Sequence, residues 1–323
     1  MILSNSLFHP RQLAYTTLFA CIAAGLCAAA TSQDAAEGKV PGAARLALRA
    51  KAGDVVKMEG DRKVTTHIHL EAVSLELSTE TGVKDQGVYQ YRGRGPNGTL
   101  QIELHETARV SATNTVGQAL KQKVVQRAAL CTVKPNMDVV KMVPVPSKVP
   151  SKDSAGRAPL TGANQAFSSI RFPERALKPG DSWSGLVPIV QEDDLKGVTL
   201  TYHATVIGFE MYQNFPCAHV EVIYTYQGAL PAIEAQIRKS LPKGSSVAGG
   251  GELTGTETSY FVLDRGWSLN DEVKLNIALH FTITINGRQQ EVGGTIDANV
   301  HSAVTACPAY DPSLVPAVGS ASP

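Results

Sequence analysis

The chain has 323 residues, 43% of them hydrophobic and 18% charged, enough for one large or two medium domains with sizeable cores. Its 30 Lys and Arg stand against 29 Asp and Glu. A balance this close to neutral excludes a global electrostatic pull toward nucleic acid or an anionic membrane.

Residues 1–30 read as a signal peptide. Arg11 supplies a positive start, the apolar run "LAYTTLFACIAAGLCAAA" follows, and Ala28-Ala29-Ala30 satisfies the small-x-small cleavage rule before polar sequence begins. The run is also just long enough to serve as an uncleaved anchor. The expected location is exported, periplasmic or extracellular after cleavage. Residues 31–44 are small and polar, a flexible lead-in.

From residue 45 to 145 the dominant period is two. In "HIHLEAVSLEL", Ile68, Leu70 and Ala72 fall on one face and His67, His69 and Glu71 on the other. That alternation predicts long, half-buried antiparallel strands. The motif Gly93-x-Gly95-x-x-Gly98 has dinucleotide-loop spacing. Such a loop needs a helix after it, yet Leu100, Ile102 and Leu104 follow at strand spacing. The glycines are therefore expected to serve a hairpin, with Asn97-Gly98 at the reversal.

Residues 146–168 are rich in Pro, Ser and Lys and read as a linker. A second β-rich half follows over 169–306. Lys178-Pro179-Gly180-Asp181 repeats the earlier Lys51-Ala52-Gly53-Asp54, and a strand–turn–strand closes each half, which suggests a duplicated β-unit. "VKLNIALHFTITI" gives the cleanest strand, with Val273, Leu275, Ile277, Leu279, Phe281, Ile283 and Ile285 on one face. Asp264-Arg265-Gly266 and Asn286-Gly287 mark turns. Gly293-Gly294 suggests a bulge or sharp bend, and the glycine-rich "GSSVAGGGELTG" reads as flexible. One helix is expected over residues 231–242. Leu230, Ile233, Ile237 and Leu241 recur at helical spacing, Pro231 suits the first turn, and Arg238 and Lys239 sit late. Residues 307–323 form a C-terminal tail.

Motifs for chemistry are sparse. His67-x-His69 could present two imidazoles to one ion, with His105 from a neighbouring strand, but spacing fixes no further ligand, and no metal site is assigned. His203 and His219 are a second pair of the same kind. Glu192-Asp193-Asp194 reads as a solvated turn, since it lacks the alternating oxygen ligands of a calcium loop. Cys217 and His219 are expected on opposite faces, which argues against a nucleophile–base pair. Three cysteines follow the leader, Cys131, Cys217 and Cys307, so one bridge at most can form among them. No catalytic residue and no cofactor is assigned.

The segments "LALRAKAGDVV", "FPERALKPGDSW", "VIGFEMYQNFPCAHVEVIY" and "YFVLDRGWSL" resemble a family of exported bacterial proteins of unknown function. At fold level these chains look like the LolA/LolB-type lipoprotein carriers. The resemblance implies a curved antiparallel sheet wrapped around a helical lid, enclosing an apolar concavity. This chain is longer than those carriers and shows one clear helix.

The expected architecture is mainly β: long antiparallel strands in one or two strongly curved sheets or open barrels, with one amphipathic helix in the second half. The expected function is non-enzymatic, an envelope protein binding or carrying an apolar small molecule or lipid. Its pocket wall would be Leu230, Ile233, Ile237 and Leu241 facing Trp183. The alternatives are a structural or protein-interaction module without a ligand pocket, with an envelope protein as partner, and a metal-assisted hydrolase. No nucleic-acid partner is expected.

Overall fold

The computed structural model of the chain describes residues 40–70, 75–113, 123–145, 170–188 and 198–315. The leader, the linker and Glu192-Asp193-Asp194 lie outside these residues.

Alternating apolar and polar residues make extended strands, and turn residues reverse them. The first five are β1 (Val55–Leu70), β2 (Leu75–Arg94), β3 (Leu100–Thr113), β4 (Lys123–Val133) and β5 (Val139–Pro144). The next three are β6 (Ser182–Pro188), β7 (Thr199–Tyr212) and β8 (Phe215–Ala229). Helix α1 (Pro231–Ser240) precedes β9 (Ser246–Val262), β10 (Ser268–Ile285) and β11 (Arg288–Ala306). All eleven strands join one sheet in the order β5-β4-β3-β2-β1-β11-β10-β9-β8-β7-β6. Every pairing is antiparallel. The two halves meet where β1 pairs with β11, from Lys57↔Ala306 to Leu70↔Val292. One mainly β sheet with one short helix is thus the architecture the alternation called for.

The hairpins use the expected residues. Asn97 and Gly98 take φ of 58° and 70°, and Asn286 and Gly287 take 50° and 77°. Both pairs occupy the left-handed region that a tight reversal requires. The repeated Gly-Asp turns have matching geometry. Gly53 N–H donates to Tyr91 O and Tyr91 N–H to Asp54 O, while Gly180 N–H donates to Val206 O and Val206 N–H to Asp181 O. In each turn the Asp carboxylate accepts from the Lys amide three residues back, Lys51 or Lys178. Each partner strand then shifts register, at Tyr91/Gly93 and at Val206/Gly208.

Two expectations are corrected. Gly293 and Gly294 pair in unbroken register with both β1 and β10, so they form no bulge. The glycine-rich segment after the helix belongs to β9. Its glycines permit close approach: a Cβ on Gly251 would lie 2.5 Å from Ala278 O and 2.8 Å from Leu230 Cδ1. Composition that reads as flexibility is here a packing requirement.

One face of the sheet is buried and the other is wet. On β1 the outward residues Lys57, Glu59, Asp61 and Lys63 are exposed, while Val56, Arg62, Val64 and Thr66 are buried. On β10, Lys274, Asn276 and His280 point outward, opposite Val273, Ile277, Leu279, Phe281 and Ile283. Among the described residues a ten-residue helix cannot cover eleven strands, and the buried inner face is covered chiefly by the sheet itself.

The hairpins at one end of the sheet, together with the lead-in segments 44–50 and 170–177, close that end. Ala44 bridges Leu177, Leu48 N–H donates to Pro135 O, and Phe172 N–H donates to Asn136 O. Arg171 pairs with Asp138 at 3.0 Å, tying the approach to β6 to the turn before β5. Leu46, Leu48, Ile170, Phe172 and Leu177 are all buried here. Phe172 meets Phe261 edge-on at 4.9 Å, and Tyr91 lies 5.7 Å from Trp267.

Gly251→Ala is expected to destabilise the protein by about 1–3 kcal/mol, because strand backbone borders the missing Cβ and cannot yield as a side-chain tip can. Urea denaturation of the variant and the parent measures it.

Candidate functional site

The inner face changes chemistry along its length. Near the closed end it is apolar and densely aromatic. Near the helix end it is again apolar, with Val64, Val247, Leu253, Ile277, Leu279, Phe281, Ile283 and Ile296 buried. Between the two, ionisable and hydroxyl side chains occupy inward positions. Ser259, Asp271, Ser302, Gly60 and Asp85 stand opposite one another in turn across β9, β10, β11, β1 and β2. One rung toward the helix end, Glu257, Val273, Val300 and Arg62 line up in the same way.

This belt has two parts. In the first, Arg62 donates to Asp85 and lies 3.8 Å from Glu106, with all three side chains about nine-tenths buried. In the second, Tyr224 donates its hydroxyl to Glu257, and Ser259 Oγ donates to the other Glu257 oxygen at 2.8 Å. Asp271 is 4% exposed, and its carboxyl is pushed up to about 7, first by burial and then by the nearby charge of Glu257. Ser302 is 0% exposed and its Oγ has no hydrogen-bond partner. A buried, unpartnered hydroxyl is costly and unusual.

At the helix end, α1 packs along β9. Leu230 immediately precedes the helix and is buried over Gly251, while Ile233, Ile237 and Leu241 are half-buried against the core. Glu234 pairs with Arg238 on the solvent side. The expected stripe is therefore one surface. Trp183 lies elsewhere. It pairs with Ala204, which pairs with Val222, which pairs with Glu257, so Trp183 sits on a belt rung at the β6 edge. Its indole N–H donates to Arg171 O at 2.9 Å. From Val222 to Ala229 at the end of β8 is a run of roughly 23 Å at 3.3 Å per residue. The structure thus brings the four helix-side residues together and places Trp183 at the far end of the apolar stretch.

The histidines are dispersed. His67 and His69 are exposed on the outer face of β1. His105 contacts Glu103 at 2.7 Å, and His203 bonds Ser184 at 2.9 Å. His219 stacks on Tyr260 and pairs with Glu210 at 3.1 Å. His203 lies opposite Ile223 and His219 opposite Gly208, so the two are not neighbours. Among the described residues no group of three or more His, Cys, Asp or Glu could hold a metal ion. Cys217 and His219 are two positions apart and share a strand side, which corrects the opposite-face expectation. Burial pushes both Cys131, to about 12, and Cys217 upward, so each stays a protonated thiol.

The belt escaped the sequence reading, although a signal for it exists. Arg62, Asp85, Glu106, Glu257 and Asp271 each occupy the inward parity of a strand that is otherwise apolar or small there.

No family model matches the chain, and no curated protein matches it. Three solved structures are distantly similar. A candidate lipoprotein of Parabacteroides distasonis is 10% identical, with 81% of this chain and 99% of that one covered and a TM-score of 0.24. A DUF1329-family protein of Desulfovibrio piger is 8% identical, with 76% and 85% covered and a TM-score of 0.15. OccK7 (OpdD) of Pseudomonas aeruginosa is 9% identical, with 78% and 100% covered and a TM-score of 0.23. No ligand or activity follows from likenesses this distant.

Two outcomes are expected of the belt. Arg62→Ala leaves Asp85 and Glu106 buried without their cation and should cost about 3–5 kcal/mol in denaturant unfolding. Asp271 has a folded value raised above its unfolded one. It weakens the fold progressively as pH rises from about 4 through 7, because the unfolded chain ionises first. Asp271→Asn should therefore raise the melting temperature by several degrees at pH 8 and by much less at pH 4.5. Thermal denaturation at the two values checks it.

Proposed function

We propose that this chain is a non-enzymatic, exported envelope protein that binds or carries an apolar ligand or lipid inside its wrapped sheet. The observation that carries the reading is the apolar stretch of inner face between the polar belt and α1. It runs beneath a short helix whose Ile233, Ile237 and Leu241 are only half-buried. A helix held to the sheet chiefly along β9 is a cover that can lift, since few buried contacts oppose local opening. The roughly 23 Å from the Trp183 rung to the helix suits an elongated chain more than a compact solute. Leu230, Ile233, Ile237 and Leu241 would contact its outer end, and Trp183 would stand near its inner end. Export is supported by the apolar leader with its small-residue cleavage site.

The environment-sensitive dye N-phenyl-1-naphthylamine should brighten and shift to the blue with the purified protein. Ile233→Asp with Ile237→Asp should weaken that response by about tenfold, since each variant places a charge on the apolar contact. A protein that leaves the dye unchanged would exclude the carrier reading. It would favour instead an interaction module, with partners bound along the β5 and β6 edges.

A further inference from the structure

Resting on the carrier reading, we propose that the belt is a headgroup site for an amphiphile bearing a primary ammonium, seated between Asp271 and Ser302 beside Gly60, its tail running toward α1. The position follows from the ladder. Asp271 on β10, Ser302 on β11 and Gly60 on β1 are successive partners on one rung of the inner face. Neighbouring strands are about 4.8 Å apart, so a small group placed between Asp271 and Ser302 reaches both. Gly60 puts no side chain into the next place on that rung.

The chemistry selects the class. Among the described side chains of the belt there are four buried carboxyl groups, on Asp85, Glu106, Glu257 and Asp271, and one guanidinium, on Arg62. That guanidinium is engaged by Asp85 and Glu106 on the far side of Gly60. The Asp271 side of the rung therefore has excess negative capacity and favours a cation. Ser302 Oγ is fully buried with no donor aimed at it, and an ammonium N–H would supply one. A divalent metal fits less well, because it demands several fixed oxygen or nitrogen ligands and no such cluster occurs among the described residues. A quaternary ammonium carries charge but has no N–H for Ser302. A carboxylate headgroup would meet like charge.

Groups facing Asp271 come from every neighbouring element. They are Glu257 and Ser259 from β9, Ser268 from β10 itself, and Ser302 from β11; the Ser259 and Ser268 hydroxyls are hydrogen-bonded to the Asp271 carboxyl. None of these is a cation; among the described belt residues the guanidinium of Arg62 pairs with Asp85 and Glu106.

Displacement of N-phenyl-1-naphthylamine tests the proposal at pH 8 with three ligands of equal tail: n-dodecylammonium, n-dodecyltrimethylammonium and n-dodecanoate. The primary ammonium should displace the dye at about tenfold lower concentration than the other two, the scale of one charge-assisted hydrogen-bonded contact. In Asp271→Asn that preference should vanish, and in Ser302→Ala the advantage of primary over quaternary ammonium should shrink. A cooperative melting transition confirms that each variant is folded. Dye binding with equal displacement by all three ligands would overturn the headgroup site and leave the carrier reading intact. No dye binding by the parent protein would overturn both.

Discussion

Burial of a single sheet face is the constraint on which the molecule depends. Each strand carries apolar side chains on alternate positions, and water must be kept from all of them at once. Helices do this work in many folds. Here α1 spans ten residues beside strands of up to twenty. Among the described residues the sheet therefore serves as its own cover, and the lead-in segments before β1 and β6 stop one end of it. The bridge from Ala44 to Leu177 joins those two segments, so the stopper is built from both halves of the chain.

That arrangement explains what could be read beforehand. Inward parity in β10 is unbroken from Val273 to Ile285, and Asn286-Gly287 fixes the following turn, so strand, hairpin and face were all visible. The same holds for Leu100, Ile102 and Leu104, which turned a nucleotide-like glycine motif into a hairpin. The helix was legible from its 3.6-residue stripe and its leading Pro231. The β9 glycines were misread because local composition carries no information about a neighbouring backbone. The close approach of Ala278 O and Leu230 to Gly251 is a tertiary fact. The separation of Trp183 from α1 is likewise a matter of register, which no single strand reveals.

The belt was hidden for a related reason. An isolated Arg62 or Asp271 at an inward position looks like an ordinary interruption of pattern. Only the ladder shows that five interruptions on different strands fall on three adjoining rungs. Buried ionisable groups contribute little net stability and often lower it. Their coincidence at one depth is thus more readily explained by what they contact than by what they hold up. Ser302, buried with an unpartnered hydroxyl on the same rung, points the same way.

The pairing of β1 with β11 has a kinetic consequence. Lys57 meets Ala306, so the seam at the middle of the sheet forms only after nearly the whole described chain is present. Contacts of such long sequence separation slow folding and leave strand edges uncovered while they wait. A chain emerging from synthesis cannot complete its central ladder early, and it would remain extended and unlocked for as long as its last strand was missing. The final strand to be made is the one that joins the halves.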